Sequence, residues 1–331
     1  MGIPFASEGS EGSEGSEGSE GSEGSEGSEG SEGSEGSSAI HVSAAGGRTS
    51  TLLANALITT HGELTRSYWG GISNPDTTTG QIAQDLAFGR WSRKVRGQMC
   101  SFELVSGLTF TNGAVASATL SSATGGLNKS LNAPDYETTA QKLRDALQVV
   151  VNMAALRPER LAEILTQVDA PFAFFARLLN LQPGRHKYTY ELMAVALNLS
   201  GLAVMQFKHH FRVRRPADHS PLVQPVLPTP RHGSFPAGHS TQCALLADMF
   251  KGLVGNKIGG DLATQLDALA TRIGENRVVA GLHFREDIAE GAKLGQSLAA
   301  YFLARARAPA GANAPKPALK WLWDSAALEW P

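Results

Sequence analysis

The sequence predicts an all-α helical bundle, with an irregular N-terminal region and a disordered Ser-Glu-Gly tail ahead of it. Three observations support this. From residue 138 onward apolar residues recur at the 3.6-residue period of a helix, and prolines and glycines punctuate that pattern where helices start and stop. Only residues 106 to 123 have strand character, and their alternation is weak.

Residues 1–38 form the tail. Residues 7–36 are ten perfect Ser-Glu-Gly repeats without one apolar side chain, so they cannot offset the entropy of ordering. Such exact repetition has the character of an engineered linker. Residues 39–132 form the irregular region, with Gly-Gly pairs at 46, 70 and 125 and turn signals at Asn74-Pro75-Asp76 and Thr111-Asn112-Gly113. A few short helices are expected there, centred on Gly80 to Leu108, and a hairpin within 106–123.

Residues 133–310 form the helical domain. Its first helix, Thr138 to Leu156, carries apolar residues at 143, 147, 150, 151 and 154. Arg157-Pro158-Glu159 opens the second, which runs to Val168, because proline in a first turn gives up an N–H that has no helical partner anyway. Pro171 to Leu181, Tyr188 to His209, Gly238 to Val254, Asp261 to Arg277 and His283 to Arg307 follow. Between the fourth and fifth of these periodic runs after Ala133-Pro134-Asp135, a connection from Pro216 to Pro236 contains six prolines and must cross the end of the bundle. Residues 311–331 are a C-terminal extension.

Composition narrows the function. Ten of the 31 acidic residues lie in the repeat, so the rest of the chain has 29 basic residues against 21 acidic ones, a balance of about +8. These cations concentrate at 205–215 and 272–285, without the interleaved aromatics that single-stranded nucleic acid needs. A small anion is the economical partner, and nucleic acid is not expected. Cys100 and Cys243 have neither disulfide-framework nor metal-ligand spacing and read as buried small residues. No secretory signal is visible at the start of the chain. The most apolar run, Leu192 to Phe207, contains Asn198, Ser200 and Gln206 and is shorter than the ~20 residues of a membrane span, so a buried helix is expected and a membrane span is not.

Three segments carry chemistry: Lys208-x6-Arg215-Pro216, Pro236-Ala237-Gly238-His239, and Arg277-x5-His283-x3-Asp287. Lys208, Arg215 and Arg277 repel one another when gathered, unless a multiply charged anion joins them. Gly238 opens a helix, whose N-terminal N–H groups add positive potential. His239 and His283 supply a proton and a lone pair near neutrality. With the last helix starting at His283, Asp287 is four residues on and shares its face, so its carboxylate can take one ring N–H and leave the other nitrogen for chemistry. Each residue also has a plainer reading. Lys208 suits a helix C-terminus through the dipole, and a lone histidine is usually structural. Glu286 is one residue off the face and reads as solvated, as do Arg212 and Arg214. The histidines at 41, 61, 186, 209, 210 and 219 read as structural or solvated.

The ordered set resembles the signature shared by vanadium-dependent haloperoxidases and the type 2 phosphatidic acid phosphatase superfamily: K-x6-R-P, then P-S-G-H, then S-R-x5-H-x3-D. Nine of eleven positions match; Ala237 and Asn276 replace the two serines. The motifs cover residues 208–287, and the helical pattern extends the resemblance from about 140 to about 306. It implies the helical-bundle fold of these enzymes and an oxyanion cup of Lys208, Arg215, Ala237, Gly238, His239 and Arg277. Of the two chemistries, a vanadium-dependent haloperoxidase of the bacterial type comes first. His283 would then be the only protein ligand to the metal of vanadate, phosphate a competing oxyanion, and hydrogen peroxide, halide and a small organic acceptor the substrates. His232 would tune the halide, bromide ahead of chloride, since bromoperoxidases of the family carry histidine there; its plain reading is a turn residue beside Gly233. The alternative is a soluble acid phosphatase hydrolysing phosphomonoesters in the same pocket, with His283 as nucleophile, forming a phosphohistidine, and His239 as proton donor. A third reading is a non-catalytic anion-binding protein, marked by Ala237; the other intact residues argue against it. Loss of the serine hydroxyl should weaken oxyanion binding by ~1 kcal/mol. A homo-oligomer is compatible with each reading.

Overall fold

Residues 88–132 are more regular than their composition predicts. A computed structural model describes residues 88–113, 116–257, 261–309 and 316–331. The tail and the turn signals at 46, 70 and 74–76 lie outside the described residues. Helix α1 (Arg93–Val105) falls within the span expected for a short helix, and its N-cap Ser92 accepts from the Val95 N–H at 3.4 Å. Strands β1 (Leu108–Asn112), β2 (Ser117–Ser122) and β3 (Asn128–Asn132) then form an antiparallel sheet in the order β1-β2-β3. The expected hairpin is present, and a third strand extends it. Ala118, Leu120 and Leu131 bury one face while serines and threonines occupy the other, which is why the alternation is faint in sequence.

The helical series follows as α2 (Ala140–Met153), α3 (Arg157–Asp169), α4 (Pro171–Leu178), α5 (Lys187–Phe211), the single turn α6 (Pro216–His219), α7 (Gly238–Val254), α8 (Leu262–Val279), α9 (Arg285–Ala306) and α10 (Ala318–Ala327). The all-α expectation therefore holds, with the small sheet as an addition. Helix α7 is the axis of the bundle, with fourteen of its 17 residues buried, against α5, α8 and α9. Its contact with α9 is unusually close. A methyl group at Gly295 would lie 2.3 Å from the Thr241 carbonyl oxygen, and one at Gly291 2.6 Å from that of Ala237, so only glycine lets the two backbones meet.

One apolar cluster runs from Cys100 to Trp330, across the expected divisions at 133 and 311. Helix α1 is fastened to α5 by a buried pair in which Arg96 Nε donates to Glu191 Oε2 at 3.0 Å. The C-terminal extension is core material: Trp321, Leu322 and Trp323 are buried, and Glu329 accepts the Tyr188 and Thr189 N–H groups at 2.8 Å, capping α5. Both cysteines are free and buried, and burial pushes their thiols up to about 12.

Helix α5 extends beyond the apolar run expected to stay too short for a span. The stretch 187–219 is long and apolar enough to cross a membrane by length and composition, with a mean hydropathy of 1.3 over its best window. Within the protein, 56% of that window is buried.

Candidate active site

Helix α5 ends at Arg212, whose left-handed φ of 52° lets its N–H bond back to the Lys208 carbonyl at 3.0 Å. The chain then returns through Val213 to Arg215. Lys208 is 2% exposed, and its Nζ donates to the carbonyls of Gly233 at 2.7 Å and Ser234 at 3.0 Å. Arg215, 1% exposed, donates from Nε to the His232 carbonyl at 3.2 Å and from Nη1 to the Leu282 carbonyl at 3.1 Å. Helix α8 supplies Arg277, also 1% exposed, whose Nη2 donates to the Ile164 carbonyl at 3.2 Å and to Gln167 Oε1 at 3.0 Å.

His283 precedes α9 rather than sitting on it, because that helix starts at Arg285. The shared-face argument for His283 and Asp287 is therefore corrected, although the contact it anticipated is present. Asp287 caps the helix by accepting the Phe284 N–H at 3.0 Å, and the same Oδ2 lies 3.2 Å from His283 Nδ1. The left-handed turn at Gly281 (φ 82°) brings His283 into place; a side chain there would press on Val223 and Arg157. Arg157 pins this turn to the proline-rich connection, donating to the carbonyls of Val279, Gln224 and Val223 at 2.9, 2.7 and 2.8 Å.

The tautomer of His283 follows from its neighbours. Arg215 Nη1 approaches His283 Nε2 at 3.2 Å, and guanidinium can only donate, so Nε2 presents a lone pair and Nδ1 carries the proton toward Asp287. Burial would push the Asp287 carboxyl up, but hydrogen bonds from His283, Ser234 and Tyr136, with the charge interaction with His283, outweigh it and hold the group below the ordinary carboxylate range. His239, in the first turn of α7 and 2% exposed, has Nε2 2.8 Å from the Gln167 carbonyl oxygen. A carbonyl oxygen only accepts, so that bond places a proton on Nε2.

Ala237 and Gly238 form the mouth of α7, and the Ala237 N–H donates to the Asp287 carbonyl at 3.0 Å. Ala237 is fully buried. Asn276, the other departure from the motif, bridges to α3: its Nδ2 donates to Glu163 Oε2 at 2.9 Å and to Gln167 Oε1 at 3.0 Å. Hydrogen bonding from Arg272 holds the Glu163 carboxyl below its ordinary range. His232 is brought to the rim, with Nδ1 3.2 Å from Arg215 Nη2.

Four residues of the network carry no motif signal. Ser234, Tyr136 and Gln167 are buried, and Glu286 is half-buried against the Asp135 and Tyr136 backbone rather than solvated as expected. Gln167 and Ser234 leave a faint trace, as polar residues inside apolar patterns, at i+3 from Ile164 and beside Phe235-Pro236 respectively. Tyr136 and Glu286 leave none.

The buried groups fall into two linked sets, Arg215 on His283 with Lys208 on the Gly233 and Ser234 carbonyls, and Arg277 with His239 on Gln167; cations, an imidazole lone pair and a helix N-terminus are the group types that suit a tetrahedral oxyanion. No family model matches the chain, and no curated protein matches it. Among solved structures it is similar to the first transmembrane PAP2 type phosphatidylglycerolphosphate phosphatase from Bacillus subtilis, with 20% identity, a TM-score of 0.39, and coverage of 49% of this chain and 84% of that one.

Proposed function

We propose that the protein is a phosphomonoester hydrolase of the phosphatidic acid phosphatase type that works through a phosphohistidine. The observation that carries this reading is the His283 geometry: Nδ1 held toward Asp287 at 3.2 Å and the Nε2 lone pair turned to Arg215 at 3.2 Å, inside the cationic cup. Lys208, Arg215 and Arg277 hold the phosphoryl oxygens and stabilise the charge that spreads over them as the P–O bond breaks. His283 Nε2 attacks phosphorus, and His239 gives a proton from Nδ1 to the departing alkoxide. Water then attacks the phosphohistidine while His239 takes back a proton, and phosphate leaves with His283 restored. These steps need no group beyond the side chains named.

Halide oxidation is the second reading, and the contact of His232 with Arg215 favours it, because that places a titratable ring on the rim of the cup. The donor types suit vanadate as they suit phosphate: three buried cations, with Arg215 turned to the Nε2 of His283. His283 would hold vanadium and Lys208, Arg215 and Arg277 its oxygens, and the bound oxyanion would supply Lewis-acid activation of peroxide. Parallel assays decide between the two, with vanadate-free and vanadate-loaded protein tested for phosphomonoester cleavage and for bromide and chloride oxidation with peroxide. Cleavage by vanadate-free protein, abolished as vanadate binds, supports the phosphatase. Halide oxidation by loaded protein without any cleavage overturns it, and His232→Phe should then change the bromide-to-chloride ratio more than it changes vanadate affinity.

A further inference from the structure

Four donors converge on the Asp287 carboxylate, and only one of them, His283, belongs to the motif. Oδ2 accepts from Ser234 Oγ at 2.5 Å, from the Phe284 N–H at 3.0 Å and from His283 Nδ1 at 3.2 Å. Oδ1 accepts from the Tyr136 hydroxyl at 2.7 Å. A carboxylate gripped through one oxygen can still rotate about its last bond, whose torsion is broad. A donor on the second oxygen removes that freedom.

Tyr136 lies 151 residues before Asp287, and the fold has a separate device for delivering it. The Glu286 carboxylate accepts the Asp135 N–H through both oxygens at 2.9 Å and the Tyr136 N–H at 3.4 Å. The centroid of the Tyr136 ring lies 4.1 Å from that of the Phe284 ring. Consecutive residues at the start of α9 thus hold one segment twice, Glu286 by its backbone and Asp287 by its hydroxyl. Burial, and then the Asp287 charge, push the Tyr136 phenol far up, so it remains a donor throughout the working pH range.

We propose that Tyr136 is a positioning residue for His283: its hydroxyl fixes the rotation of Asp287, and Asp287 fixes the plane and tautomer of the imidazole. The activity part of this inference rests on the phosphohistidine reading; the orientation part does not. Partners one shell out from a reactive imidazole commonly change activity by about 10–100-fold when removed.

Tyr136→Phe keeps the ring on Phe284 and removes only the donor. The expected result is a kcat about tenfold lower, with KM for a phosphomonoester and inhibition by inorganic phosphate unchanged. Glu286→Ala leaves the hydroxyl but loosens its delivery, so it should lower kcat in the same direction by about threefold, and the double variant should be no worse than Tyr136→Phe. The imidazole N–H proton resonance of His283, followed by NMR in substrate-free protein, should move in both variants. That readout needs no turnover: wild-type protein that cleaves no phosphomonoester but whose resonance moves in the variants refutes the phosphatase reading and upholds the role of Tyr136. A Tyr136→Phe kcat within twofold of wild type overturns the proposal. So does a fall in melting temperature and activity with the resonance unmoved, which would make the hydroxyl merely structural. Should Tyr136→Phe not fold, Glu286→Ala decides by the same two readouts.

Discussion

His283 and His239 are both buried, but their anchors differ in charge. His283 leans its Nδ1 on a carboxylate that is itself held by three further donors. His239 rests its Nε2 on the main-chain carbonyl of Gln167 at 2.8 Å. A carboxylate partner locks one tautomer and steadies any positive charge the ring acquires, which suits a nitrogen that must stay oriented while it bonds to phosphorus. A neutral carbonyl orients the ring without a comparable hold on charge, which suits a group that gives and retakes a proton. The difference between the anchors is what the proposed roles of the two rings rest on.

Removing each ring tests that division. With His283 as the proposed nucleophile, His283→Ala should lower kcat by about 10⁴-fold or more for every phosphomonoester, whatever the leaving group. A variant that retains a tenth of wild-type turnover breaks the assignment.

Asp287→Asn comes next. It keeps the shape but offers the imidazole an amide, and a drop of about 10²–10³-fold is expected from the lost tautomer. The same variant tests linkage. The folded Asp287 group is held below its ordinary value of 3.8, so its contribution to stability is present above that value and is lost as pH falls through the lowered one. Melting temperature should therefore fall below pH ~4 more steeply in wild type than in Asp287→Asn. Parallel curves would show that the carboxylate does not couple to folding.

His239→Ala should cost about 100-fold for an alkyl phosphate and much less for p-nitrophenyl phosphate, whose leaving group needs no proton. Equal losses for the two substrates would remove the acid role and the comparison with it. The smallest effect concerns the departure at Ala237. Ala237→Ser adds a hydroxyl at the mouth of α7, and phosphate or vanadate should bind up to about tenfold more tightly, equivalent to ~1.4 kcal/mol. Weaker binding would mean that the buried alanine is matched to its neighbours.

The motif residues were legible because their spacing is local: Lys208 to Arg215 spans the end of a helix and its turn, and Arg277 to Asp287 spans one helix-to-helix junction. The residues that orient them were not. Tyr136 is 151 positions from Asp287, Ser234 is 53 from it, and Gln167 is 72 from His239, and no local periodicity registers a partner at that range. The His283–Asp287 contact was anticipated for the wrong reason. A four-residue interval serves a helix cap as well as a helix face, and the pattern does not tell the two apart. The sheet was faint because its exposed face is made of serine and threonine, and the C-terminal helix was missed because ten residues with two tryptophans give too short a window for a period.

The glycines of α9 give the cup a fixed gauge. His239 stands in the first turn of α7 and His283 two residues ahead of α9, and those helices touch backbone to backbone at Gly291 and Gly295. The span between the histidines is thus set by main-chain dimensions and not by deformable side chains. Sliding one helix away from the other would break the Ala237-to-Asp287 hydrogen bond at 3.0 Å, so the crossing resists opening. Two glycines outside the motif thereby fix how closely the segments carrying His239 and His283 approach each other.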